Sequence, residues 1–153
     1  IPDSISNKVL ENFEAVEGRL KVYKLFDSEI YVGKTDNSDA VKSIFDEKYF
    51  YAAFIGTPRP NEQHRLDILN EVVKHDPKVI VLFPGLANTI NMALDRINQL
   101  EYDGEVYTAH NLDELIEYVA EFAHEDYIFI GGNGQEIIIT IQERLEELCK
   151  VCN

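Results

Sequence analysis

The chain has 153 residues, 45% of them hydrophobic and 27% charged, with 28 acidic against 14 basic side chains and a formal charge of -14. A chain of this length buries roughly 70% of the surface its unfolded form exposes, so one core forms without disulfides or metal and two domains are not expected. No apolar stretch approaches the roughly 20 residues of a membrane span, and no basic region followed by an apolar one opens the chain. A cytoplasmic protein is the expectation, with Ile1 in place of Met leaving processing of the N-terminus open.

The acidity is concentrated towards the C-terminus, where residues 111–153 carry ten carboxylates against Arg144 and Lys150. That field repels phosphate backbones and anionic lipid, so neither nucleic acid nor a membrane surface is an expected partner. A protein partner or a small anionic ligand is, and a homodimer is admitted. The two cysteines, Cys149 and Cys152, form a C-x-x-C that closes a helix rather than opening one. The helix dipole there works against a thiolate, and zinc would need two ligands that the spacing does not supply. Reduced thiols, no metal and no cofactor are therefore expected.

An opening helix is marked by Ser4 or Ser6 as cap, by Ile5, Val9, Phe13 and Val16 at helical spacing, and by Gly18 past its end. Residues 20–26 and 29–33 read as extended, joined by a turn at Asp27-Ser28. Strands at 50–56, 78–83, 105–109 and 127–131 follow, each leading through a turn into a stretch of helical apolar spacing, clearest over 86–100 and 111–123. Asn111 followed by Glu114 has the form of a capping box, with Asn in place of Ser or Thr. Val79 to Phe83 and Tyr127 to Ile130 are apolar at successive positions, as strands covered by helices on both faces must be. Five strand–helix units from residue 27 onward predict a three-layer α/β/α sandwich with a doubly wound, mainly parallel, five-stranded sheet of the flavodoxin-like kind. Residues 1–26 add an N-terminal helix and an extra strand.

In such a sheet a site lies beyond the carboxyl ends of the strands, where helix N-termini converge. The residues at those ends include Lys34 and Thr35, Thr57 and Arg59, Thr108 and His110, and the run Gly131, Gly132, Asn133, Gly134. The glycine run offers backbone N–H groups to an anion, or else only a tight turn. Arg59, between Pro58 and Pro60, is a guanidinium on a stiff loop, suited to a bidentate anion or to a surface ion pair. His110 is an imidazole suited to acid–base work. Neither a G-x-G-x-x-G fingerprint nor a complete phosphate loop is present, and no catalytic residue is assigned because no strand end pairs a nucleophile with a base.

Residues 50–149 resemble the receiver domains of two-component signalling. The run Asp76 to Gly85 is similar to that family's third strand with its Pro-Gly, and Val106-Tyr107-Thr108-Ala109 to the fourth strand with its switch Thr-Ala. Asp126-Tyr127-Ile128 is similar to the run into the fifth strand. The family's phosphoacceptor falls near Leu82 or Phe83, its acidic pair is at best Asp36, and Ile130-Gly131 replaces its Lys-Pro. The resemblance thus implies a degenerate receiver, a non-catalytic regulatory or interaction domain. The alternative is a binding protein or enzyme for a phosphate- or carboxylate-bearing metabolite, with its site at the sheet edge.

Overall fold

The computed structural model describes residues 20–124 and 127–152; the expected opening helix lies outside them. Two short strands, β1 (Lys21–Leu25) and β2 (Ser28–Val32), form an antiparallel hairpin. Its turn is Phe26-Asp27, one residue earlier than the sequence predicts. Ser28 is fully buried opposite Leu25, while Phe26 takes a left-handed φ of 54° at the exposed tip. Then come α1 (Ser38–Glu47), β3 (Ala52–Gly56), a 3-10 turn (Gln63–Asp67) running into α2 (Ile68–Lys74), β4 (Val79–Phe83) and α3 (Ile90–Gln99). The chain ends with β5 (Glu105–Thr108), α4 (Leu112–Phe122), β6 (Tyr127–Gly132) and α5 (Gln135–Cys152). Helix α3 starts four residues later than its apolar pattern, because Leu86 to Thr89 form a loop tied to the end of β3.

Capping fixes two helix starts. Asn37 Oδ1 accepts the Ala40 N–H at 2.9 Å, and Asn111 Oδ1 accepts that of Glu114 at 2.9 Å. The reciprocal arm of the Asn111 box reaches one residue further back than usual, since Glu114 Oε1 accepts the N–H of His110 at 2.8 Å rather than that of Asn111.

The sheet has six strands in the order β1-β2-β6-β3-β4-β5, with every pair but the hairpin parallel. This corrects the flavodoxin-like expectation. Setting the hairpin's outer strand aside, the remaining five run 1-5-2-3-4, whereas a flavodoxin-like sheet runs 2-1-3-4-5 with its last strand at the edge. Here the last strand lies between the first and second, Ile130 opposite Val32 on one side and Phe54 on the other.

The helix layers follow from this order. The steps β2 to β3, β3 to β4 and β4 to β5 all lead towards the same edge, so right-handed crossovers put α1, α2 and α3 on one face. The step β5 to β6 goes back across β4 and β3, and α4 must take the other face. Side chains agree. Val41, Ile44, Leu69, Val72, Ala93 and Ile97 pack against Ala53, Ile55, Ile80, Leu82 and Phe129. Leu115, Val119, Ile138, Ile141 and Leu145 pack against Ala52, Phe54, Val79, Val81, Ile128 and Ile130. Every residue of β3 and β4 is buried, which is the state expected of continuous apolar runs between two helix layers. Among the described residues no helix is long and apolar enough to cross a membrane.

A central β6 has a measurable consequence. Phe129 is fully buried against the rings of Phe45 and Phe50, so Phe129→Ala should cost about 3–5 kcal/mol in urea unfolding. Val106, half-buried on the edge strand β5, should cost about 1 kcal/mol on the same change. Equal costs would argue against this strand order.

Candidate functional site at the carboxyl edge of the sheet

Strands β2, β3 and β4 hand the chain to helices on one face, and β5 and β6 to helices on the other. Neighbouring strands therefore part company at β2/β6, β6/β3 and β4/β5, and crevices open at such switch points. The first is closed. The Gly132 N–H donates to Thr35 Oγ1 at 2.7 Å, and the Thr35 N–H donates to the Gly132 carbonyl at 3.3 Å. A Cβ on Gly131 would stand 2.3 Å from Thr35 Oγ1, so that glycine makes room for the threonine. The other two crevices are open clefts.

The cleft at β6/β3 has a volume of about 460 Å³. Arg59, Gly85 and Leu86 form one wall, and Gly134 to Ile137 with Ile139, the first turns of α5, form the other. The cleft at β4/β5 has a volume of about 400 Å³ and lies between Pro60, the start of α3 and His110. The Pro58-Arg59-Pro60 segment thus separates the two, and it is held firmly. Thr57 Oγ1 donates to the Ala87 carbonyl at 2.6 Å, Thr89 Oγ1 donates to that of Pro58 at 2.6 Å, and the Leu86 N–H donates to that of Thr57 at 2.8 Å. Thr57 and Thr89 are both buried, so these bonds are shielded from water.

The glycines here serve close packing. Gly131 and Gly132 belong to β6 rather than to an open loop, and Gly132 at φ 95° lies against the Gly56 backbone. A Cβ on Gly56 or on Gly85 would stand 2.3 Å from the Asn133 carbonyl oxygen. Asn133 is itself buried, with its N–H and Nδ2 both donating to the Gly56 carbonyl at 3.0 and 3.2 Å. Of the four residues in the run, Gly134 lines the β6/β3 cleft.

Three cations gather along the edge in this acidic protein. Lys34 Nζ lies 3.6 Å from Asp36, Asp36 accepts from Arg65 Nη1 at 2.9 Å, and Arg65 Nε lies 2.9 Å from Glu62. Glu62 in turn accepts from Arg59 Nη1 at 3.0 Å. Burial pushes the Glu62 carboxyl up, but the Arg59 hydrogen bond and the charges of Arg65 and Arg59 outweigh it and hold the group below its ordinary value. Arg59 is consequently oriented while its side chain remains 56% exposed beside the cleft. The structure thus brings Arg59 and Gly134 to one cleft and His110 to the other. Thr108 Oγ1 lies 3.4 Å from His110 Nε2, and Gly132 and Thr108 end strands three places apart. Thr35 and Thr57 are spent on internal hydrogen bonds. Sequence reading missed Arg65 and Glu136; the position of Glu136 just behind the glycine run was the available signal. Among the described residues no three His, Cys, Asp or Glu side chains are grouped as metal ligands.

The chain is an α/β domain with clefts at the switch points of its sheet, where ligands of such folds commonly sit. No protein-family model and no curated protein sequence matches the chain. Solved structures do. A UDP-N-acetylmuramoyl-L-alanyl-D-glutamate–2,6-diaminopimelate ligase aligns over 87% of the chain at 13% identity with a TM-score of 0.63. A murein peptide ligase, Mpl, from Psychrobacter arcticus aligns over 82% at 12% identity with a TM-score of 0.53. The chain spans about a third of each, 32% and 29% respectively. At these identities the likeness is one of fold. It overturns the kinship with receiver domains and the regulatory, signalling role drawn from it. The local wording around Thr108-Ala109 and Pro84-Gly85 is shared, but the strand order is not.

The Glu62 network yields a pH prediction. A carboxyl held below its ordinary value contributes stability above its unfolded pKa and loses it as pH falls through the folded one. The melting-temperature gap between wild type and Glu62→Gln should therefore be open at neutral pH and close on acidification below about 4.5, the ordinary value for Glu62. A gap independent of pH would show that the carboxylate is not the stabilising form.

Proposed function

We propose that the chain is the amino-acid- or peptide-binding domain of a larger ligase-like enzyme, and that the β6/β3 cleft holds its ligand. The observation that carries this is the pairing of opposite charges on one cleft: Arg59 on one wall and Glu136 on the other. A carboxylate pairs with Arg59 and with the positive end of the α5 dipole, while an ammonium group pairs with Glu136. A zwitterion satisfies both. A phosphate dianion would meet repulsion from Glu136, which ranks carboxylate ligands above the phosphate alternative. The volume suits a small metabolite. The fold likeness to a diaminopimelate ligase and to a murein peptide ligase supports the same ligand class. A cytoplasmic setting fits this reading.

Calorimetric titration with dicarboxylic and diamino acids, their deamino analogues and inorganic phosphate tests it. An amino acid of the panel should bind wild type, and Arg59→Ala should weaken it by about ten- to a hundredfold, the usual cost of a charge-assisted hydrogen bond. Glu136→Gln should erase the preference for the amino over the deamino compound. No binder in the panel, or binding indifferent to Arg59→Ala, would remove the proposal.

A further inference from the structure

The second cleft has a different chemistry from the first. Its lining contains no lysine, arginine or carboxylate, although the chain as a whole carries 42 charged residues. The walls are apolar at Pro60, Ile90 and Met92, and carry primary amides at Asn88 and Asn91, with the His110 ring opposite. A charged ligand would find no counter-ion among these groups other than a protonated imidazole. An aliphatic one would offer nothing to the Asn91 amide or to Nδ2 of Asn88, whose Oδ1 accepts from the Ile90 N–H at 3.4 Å. A flat nitrogen heterocycle answers both demands: its faces rest on apolar side chains and imidazole, and its edge offers adjacent donors and acceptors of the kind that side-chain amides pair with. The volume of about 400 Å³ lies within the range of small-molecule sites.

The cleft is also pre-formed. Pro60 follows the segment fixed by the buried Thr57 and Thr89 hydrogen bonds, and His110 is anchored by its N–H to Glu114 Oε1 at 2.8 Å. Thr108 Oγ1 lies 3.4 Å from the ring's Nε2. It opens at the β4/β5 switch point, where the sheet geometry independently calls for a site. We infer that the β4/β5 cleft is a second binding site, for a neutral heterocycle of the nucleobase class carried by a small nucleoside-containing molecule. The two clefts share only the loop between them, so this site does not rest on the amino-acid reading of the first.

Adenosine and uridine are the probes, with methyl glucoside as a polar, non-aromatic control, in ligand-observed NMR and calorimetric titration of the full chain. At least one nucleoside should bind. Asn91→Ala and His110→Ala should each weaken it by about tenfold, and Arg59→Ala should leave it unchanged. Asn91 and His110 are exposed, so both variants keep the fold, and matching circular dichroism melts check this. Failure of both nucleosides to bind while amino acids do would overturn this inference and spare the first. Binding lost in Arg59→Ala but indifferent to Asn91→Ala and His110→Ala would place the nucleoside in the first cleft and equally overturn it. So would glucoside binding as tight as that of either nucleoside.

Discussion

The parallel pairing of β6 with β2 on one side and β3 on the other determines most of what this chain can do. Ile128, Phe129 and Ile130 are fully buried, the first and last against one helix layer and Phe129 against the other. A strand so placed must be apolar at successive positions, and the chain must cross back over two strands to reach it. Right-handedness then sends α4 to the face opposite α1, α2 and α3. After β6 the chain enters α5, whose Ile138, Ile141 and Leu145 close that second face. The clefts are by-products of this reversal. They open at two of the places where adjacent strands release the chain in opposite directions, and the third is sealed by Thr35 and Gly132.

Rigidity at this edge comes from small residues and shielded hydrogen bonds. Gly56, Gly85 and Gly134 allow the ends of β3, β4 and β6 to approach until backbone touches backbone, with the Asn133 carbonyl between the first two. Thr57 and Thr89 then staple the β3 loop to the β4 loop. Arg59 inherits its position from that frame and from Glu62. A single oriented guanidinium beside a helix N-terminus is a local exception to the field of a chain with charge -14, and it defines where a carboxylate is welcome. The neighbouring cleft lacks lysine, arginine and carboxylates, so the two crevices differ in kind although they share a loop.

Much of the layering was legible in the residues. The unbroken apolar runs at Val79–Phe83 and Tyr127–Ile130 required two helix layers, and Asn111 with Glu114 marked a helix start that the structure shows. Strand order was not legible, for a physical reason. A parallel strand buried on both faces carries no alternation and no turn partner, so nothing in Ile128-Phe129-Ile130 distinguishes an edge partner from a place between β2 and β3. The same helices serve either order. The receiver resemblance rested on short strings such as Thr108-Ala109 and Pro84-Gly85, which describe how a strand ends rather than where it sits. Arg59 and His110 could be placed at the sheet edge because strand ends can be counted. Glu136 was missed because only the three-dimensional approach of α5 to the Arg59 loop gives a carboxylate there a partner in function. The last strand runs one residue beyond the expected 127–131, so that Gly131 and Gly132 are strand residues packed against Thr35 and Gly56.

The position of β6 is most directly measured by cross-strand nuclear Overhauser effects and amide exchange in the isotope-labelled protein. The expected result is that contacts from Ile128 to Ile130 run to both Ile30–Val32 and Ala52–Phe54, with those amides among the slowest to exchange. Contacts on one side only, or pairing of β6 with β5, would contradict the fold described here and with it both clefts.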